Sequence, residues 1–153
     1  MRLVNAGAVL TLTGLSADQL REWTTRRGLI LPDEIPNGPG SRAGYSWQTV
    51  LLLRVAKVLK ENFHIELQAY RSLFNALSAK LAKAPFPSLH GKAIVVASNG
   101  VADLHIVALE DVRMADADMF LIRLDPHLDV LSRGFGLASP MPQLPLFPAI
   151  AIR

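Results

Sequence analysis

The sequence predicts an α+β chain, helical in its first half and built of antiparallel strands in its second. Three observations carry that expectation. Apolar residues recur at three- and four-residue intervals as far as Lys83. Pro85 and Pro87 then forbid helix. Beyond them, β-branched apolar runs flank Asn99-Gly100, a dipeptide suited to a tight hairpin. The change of pattern divides the 153 residues into two expected domains, residues 1–84 and residues 85–153. Half of the residues are hydrophobic, enough to build a sizeable core.

The first helix is expected from Val4 to Leu15, with Val4, Ala8, Leu12 and Leu15 on one side. A tight turn follows at Gly14, and Ser16 is a good N-cap for a second helix from Ala17 to about Arg27. Asp18 suits its first turn, Arg26 and Arg27 suit its last, and Gly28 stands where a helix-ending glycine belongs. Pro32, Pro36, Pro39 and several glycines exclude helix from about Leu31 to Gly44, and Asn37-Gly38 marks the expected turn of a small wing. Ser46 caps a third helix that Asn62 to His64 breaks. Ile65 to Lys83 reads as a fourth, with Leu67, Tyr70, Phe74, Leu77 and Leu81 in register.

In the second half, strands are expected over Lys92 to Ser98, Asp103 to Leu109 and Met119 to Leu124, with Asp111 to Asp118 as a connector or one helical turn. His127 to Leu131 is placed as a continuation of the sheet after a turn at Asp125-Pro126. Ser139 to Pro148 holds four prolines and is expected as an extended tail.

Charge is unevenly placed. Residues 1–84 carry eleven Lys/Arg against six acids, whereas residues 85–153 carry five against seven, so only the first half is suited to a polyanion. The chain has no cysteine, which removes disulfides, zinc–thiolate sites and thiol redox sensing. It lacks the long apolar stretch of a signal peptide. No apolar run reaches the ~18–20 residues that span a bilayer. A cytoplasmic protein with no membrane partner is expected. His64, His90, His105 and His127 are dispersed, the aspartates between Asp111 and Asp129 lack calcium-loop spacing, and no phosphate-binding glycine motif occurs. No metal, no cofactor and no enzymatic activity are expected.

The ordered pieces of the first half resemble the winged-helix DNA-binding domain of the MerR family. They are Leu12 to Ser16, Leu20-Arg21 with Trp23, Gly28-Leu29-Ile30 with Pro32, Arg42 with Tyr45-Ser46, the leucine-rich helix from Trp47 to Leu59, and Asn62 to Ile65. They cover residues 4 to 80. The resemblance implies a winged helix-turn-helix domain whose second helix enters the major groove and whose wing grips flanking phosphates. By position, Arg21 would contact DNA and Trp23 would help to seat the helix. Arg42 would meet the backbone or the minor groove, and Tyr45 would contact a phosphate or brace the wing. The chain departs from the family in three places. Arg21 to Pro32 is one residue longer than the usual pattern, two residues separate Arg42 from Tyr45, and Glu22 stands where an aromatic is common. After Pro85 the family's long dimerising coiled coil is replaced by expected strands.

The candidate DNA-binding residues are Ser16, Gln19, Arg21, Trp23, Thr25, Arg26, Arg42 and Tyr45. Arginines neutralise phosphates and fork onto guanine, and glutamine pairs with adenine. Each has a plainer alternative. Arg26 and Arg27 also match a helix dipole, Trp23 and Tyr45 also suit a core, and Arg42 also suits pairing with Asp33 or Glu34. The expected function is a sequence-specific transcriptional regulator that binds duplex DNA as a homodimer, with the second half dimerising or holding an unidentified small-molecule effector. The alternatives are an excisionase-like architectural factor and a protein-interaction adaptor.

Overall fold

The computed structural model describes residues 1–98, 102–112 and 118–138. Its elements are helices α1 (Ala6–Thr13), α2 (Ala17–Arg21), α3 (Trp47–Phe63), α4 (Arg71–Lys83) and α5 (Asp125–Phe135), and strands β1 (Lys92–Ser98), β2 (Ala102–Ala108) and β3 (Met119–Arg123). The architecture is α+β.

α1 is shorter than expected because Asn5 caps it. The Asn5 Oδ1 accepts from the Ala8 N–H at 3.0 Å, and Val4 turns away to exchange two 2.9 Å backbone hydrogen bonds with Tyr45. At Ser16 the capping is reciprocal. Its hydroxyl accepts from the Gln19 N–H at 3.1 Å, and the Gln19 side chain accepts from the Ser16 N–H at 3.0 Å. α2 continues into one wide π turn, Glu22–Arg26, which the Arg27 N–H closes onto the Glu22 carbonyl at 2.9 Å.

The segment from Leu31 to Gly44 contains no helix, as its prolines dictate. Glu34 and Gly44 exchange a pair of backbone hydrogen bonds, and the reversal between them falls two residues later than Asn37-Gly38 suggests. The Gly38 carbonyl accepts from the Ser41 N–H at 3.2 Å, with Pro39 and Gly40 as the central residues and φ +84° at Gly40. Proline followed by a residue in the left-handed region is the requirement of a type II turn, so Pro39-Gly40 outcompetes Asn37-Gly38.

α3 is the central helix. It buries Val50, Leu51, Leu53, Val55 and Ala56 completely and packs against α1, α4 and α5. α4 is preceded by a 3-10 turn, Leu67–Tyr70, rather than running unbroken from Ile65. Past Pro85 the core does not stop. Phe86 is buried and meets Trp47 edge-on at 5.1 Å between centroids. The expected boundary between residues 84 and 85 is where helix gives way to sheet, and one continuous core runs across it.

The sheet order is β2-β1-β3, antiparallel throughout, with Ser98 opposite Ala102. Ile94 faces Ile106 and Ile122, and Val96 faces Leu104 and Phe120. These six form the apolar side that packs on the helices. The turn at Asn99-Gly100, most of the connector after Val112 and the proline-rich tail lie outside the described residues.

The chain from Asp125 to Phe135 corrects the sequence reading. It is helix, not a fourth strand. Pro126 occupies the first turn, where its missing N–H costs nothing, and Asp125 complements the helix dipole. Leu124, Leu128, Leu131 and Phe135 are buried at intervals of four, three and four, a stripe that only a helix keeps on one side.

Candidate nucleic-acid interface

The eight candidate residues divide by burial. Trp23 and Tyr45 are 7% and 4% exposed and belong to the core. Burial pushes the Tyr45 phenol above its ordinary value, and a side-chain hydrogen bond with Thr24 acts the other way. That bond and the bridge to Val4 tie the strand after the loop to the second helix and to the N-terminus. Of the two roles considered for Tyr45, its position is that of a brace. Ser16 and Gln19 are engaged with each other as the cap of α2.

Arg21, Thr25 and Arg26 are exposed, on a helix whose other side buries Leu20, Trp23 and Thr24. Each arginine has an acidic neighbour on its own helix. Arg21 lies 3.6 Å from Asp18, Arg26 lies 3.4 Å from Glu22, and Arg27 approaches the other Glu22 oxygen at 2.5 Å. Hydrogen bonding to Arg27 is the main reason the Glu22 carboxyl is held below its ordinary value, with Arg26 adding to the effect. Pairs this exposed are weak and screened by salt, so a phosphate can replace the acid with little loss.

Arg42 is exposed on the loop and has no ion-pair partner among the described residues. The considered pairing with Asp33 does not occur because Asp33 is already used. Its two carboxylate oxygens accept from the Ser46 N–H at 2.7 Å and from the Ser46 hydroxyl at 2.9 Å. Arg42 instead borders a cleft of about 490 Å³ together with Pro36, Ser41, the α1 cap Asn5 and the first two residues of α1, Ala6 and Gly7. The loop arginine and the positive end of a short helix thus open onto the same space.

Two residues that hold this surface in place have no local signature. Arg71, at the start of α4, donates to the Arg27 carbonyl at 2.7 Å and to the Gly28 carbonyl at 3.0 Å, so it caps the end of the second helix from 43 residues away. Asp33 fixes the loop to the N-terminus of α3 from 13 residues away. No nearby spacing announces either, although the need of a helix end for a cation is a general signal.

Among the described residues, no group of three His, Asp or Glu side chains is placed to hold a metal ion, and no helix is long and apolar enough to cross a membrane. No protein-family model matches the chain, and no curated protein matches it significantly.

Proposed function

We propose that residues 1–84 form a winged helix-turn-helix that binds duplex DNA, and that the chain acts as a transcriptional regulator. In this reading the second helix enters the major groove with Arg21, Thr25 and Arg26, and Arg42 in the wing meets the flanking backbone. The observation that carries it is a partition. The arginines on the second helix and the loop are exposed, while Trp23 and Tyr45 lock those same elements into the core. A surface held rigid from behind and cationic in front suits a line of phosphates. A module of this size covers little DNA alone, so two copies reading two half-sites is part of the proposal.

The test is fluorescence anisotropy with labelled duplexes over a range of salt, including duplexes selected from a random library. Binding should weaken steeply with salt, and Arg21→Ala and Arg42→Ala should each reduce the slope of log affinity against log salt by about 0.9. No binding at low salt, or affinity indifferent to both substitutions, would leave the protein-interaction adaptor as the better reading. A selected site with two-fold symmetry would support the regulator over the architectural factor.

A further inference from the structure

The guanidinium of Arg54 is partly buried against neutral partners only. It donates to the Leu12 carbonyl and, through Nε, to His127 Nδ1 at 3.1 Å. No carboxylate pairs with it among the described residues. Because His127 Nδ1 accepts, the proton of its neutral ring is on Nε2. Burial works against the charge on Arg54, and the His127 ring is disfavoured as a cation both by burial and by Arg54 itself. A cation withdrawn from water without a counter-charge is costly, and a fold that keeps one gains when an anion reaches it.

The space beside it is shaped for that anion. A pocket of about 210 Å³ lies where the end of α1, one side of α3 and the start of α5 converge. Arg54, Lys57, Glu61 and Asn62 line it from α3, at spacings that put them on one side of the helix, and His127 lines it from α5. The one acid there, Glu61, lies 3.5 Å from the Lys57 ammonium and leaves the Arg54 charge uncompensated. We infer that this pocket binds a small oxyanion, a free phosphate or carboxylate group, held by the charges of Arg54 and Lys57 with Asn62 and the His127 ring as neutral hydrogen-bond partners.

Size narrows the class. Pockets for drug-sized ligands run from about 300 Å³ upwards. One of about 210 Å³ therefore suits an inorganic ion or a compact metabolite. The inference goes beyond DNA binding and does not depend on it. The pocket is walled by three helices, so an occupant ties α5 to α1 and α3. It also acts on Lys57, whose ammonium stands 3.0 Å from where a methyl group on Gly14 would be, directly over the turn that leads into α2.

The experiment is a titration of the full chain with inorganic phosphate, and separately with malonate, at constant ionic strength against a chloride control. NMR follows the Arg54 Nε–H and the His127 ring. Saturable shifts at both groups, absent at Arg42, are expected. Lys57→Gln should weaken the apparent affinity at least about fivefold, the loss of one charge-assisted contact. Lys57 reaches the surface, so this variant tests the site without disturbing the core, and its unchanged spectrum elsewhere establishes that it is folded. Shifts that rise without saturating, that chloride reproduces, or that Lys57→Gln leaves unaltered would overturn the inference. Repeating the titration with duplex DNA present separates two sources of the same chemistry. Undiminished phosphate binding assigns the site to a free ion, and competition assigns it to a backbone phosphate.

Discussion

Asp33 and Ser46 form a two-pronged clamp: one carboxylate holds both the backbone N–H and the hydroxyl of the residue that caps α3. The Ser46 hydroxyl in turn accepts from the Thr49 N–H at 3.3 Å, so loop, cap and helix share one network. Asp33→Ala leaves the Ser46 N–H unmet and the Ser46 hydroxyl with only the Thr49 hydroxyl at 3.3 Å, and should cost about 1–3 kcal/mol of stability. Chemical denaturation measures the cost, and faster hydrogen exchange at Ser46 and across residues 34–44 locates it.

Gly134 and Leu12 touch where α5 crosses α1. A methyl group at Gly134 would lie 2.4 Å from one Leu12 methyl carbon and 2.9 Å from the other. Gly134→Ala should therefore destabilise by about 1–3 kcal/mol through overpacking, although alanine is the better helix former. Adding Leu12→Ala should return part of that loss. A coupling near zero in the double-mutant cycle would show that the two side chains do not meet.

Acid should loosen α5. The His127 ring is pushed down to about 4, by burial first and by Arg54 second. Below its ordinary value of about 6.5, the unfolded chain takes up a proton that the folded chain refuses. Stability therefore falls as pH drops from about 6.5 towards about 4, and no more is lost below that. With allowance for solvent around a ring that is not fully enclosed, the loss is about 1–2 kcal/mol. His127→Gln should flatten the stability profile over this window relative to the parent protein, with carboxylates elsewhere common to both.

If the second helix binds DNA as proposed, Glu22 is a brake on it. The carboxylate occupies both Arg26 and Arg27. Glu22→Gln removes a like charge from the phosphate-facing surface and frees two cations, and should strengthen binding to duplex DNA severalfold at low salt. Anisotropy at two salt concentrations checks it, and the gain should shrink at the higher one.

The contact of Trp47 with Phe86 implies cooperative unfolding of the first half with the segment that follows. Heating should give one transition by both tryptophan fluorescence and backbone circular dichroism. Cutting the chain after Ala84 strips Trp47 of its aromatic neighbour and should lower the midpoint of residues 1–84 well below that of the full chain.

Where the sequence carried a local signal, element placement was legible. β1 runs from Lys92 to Ser98 as its β-branched pattern indicates, and the Ser16 cap follows from a serine before an apolar period. α5 was missed for a physical reason. His127 to Leu131 is too short a window to separate a period of two from one of 3.6, and the decisive residues, Leu124 and Phe135, lie outside it. Gln19 shows a different limit. A serine followed three residues later by glutamine is a capping signature, yet the same glutamine also suits adenine recognition, and composition does not choose between them. The exposed arginines could be listed from sequence. The long-range arginine contacts could not, because Arg71 reaches Gly28 and the partly buried Arg54 reaches His127 only through the packing of distant helices.

The π turn at Glu22–Arg26 has a consequence for how this chain tolerates change. Closing on the fifth residue rather than the fourth, it accommodates one more amino acid than a regular turn between the same two ends. The turn thus holds within the helix one residue that a regular turn would leave to the loop. Deleting a single residue there would shorten the coil to a regular turn and leave Trp23, Leu29 and Ile30 anchored as they are. In most helices a deletion shifts every residue beyond it; here the chain has somewhere to take the loss.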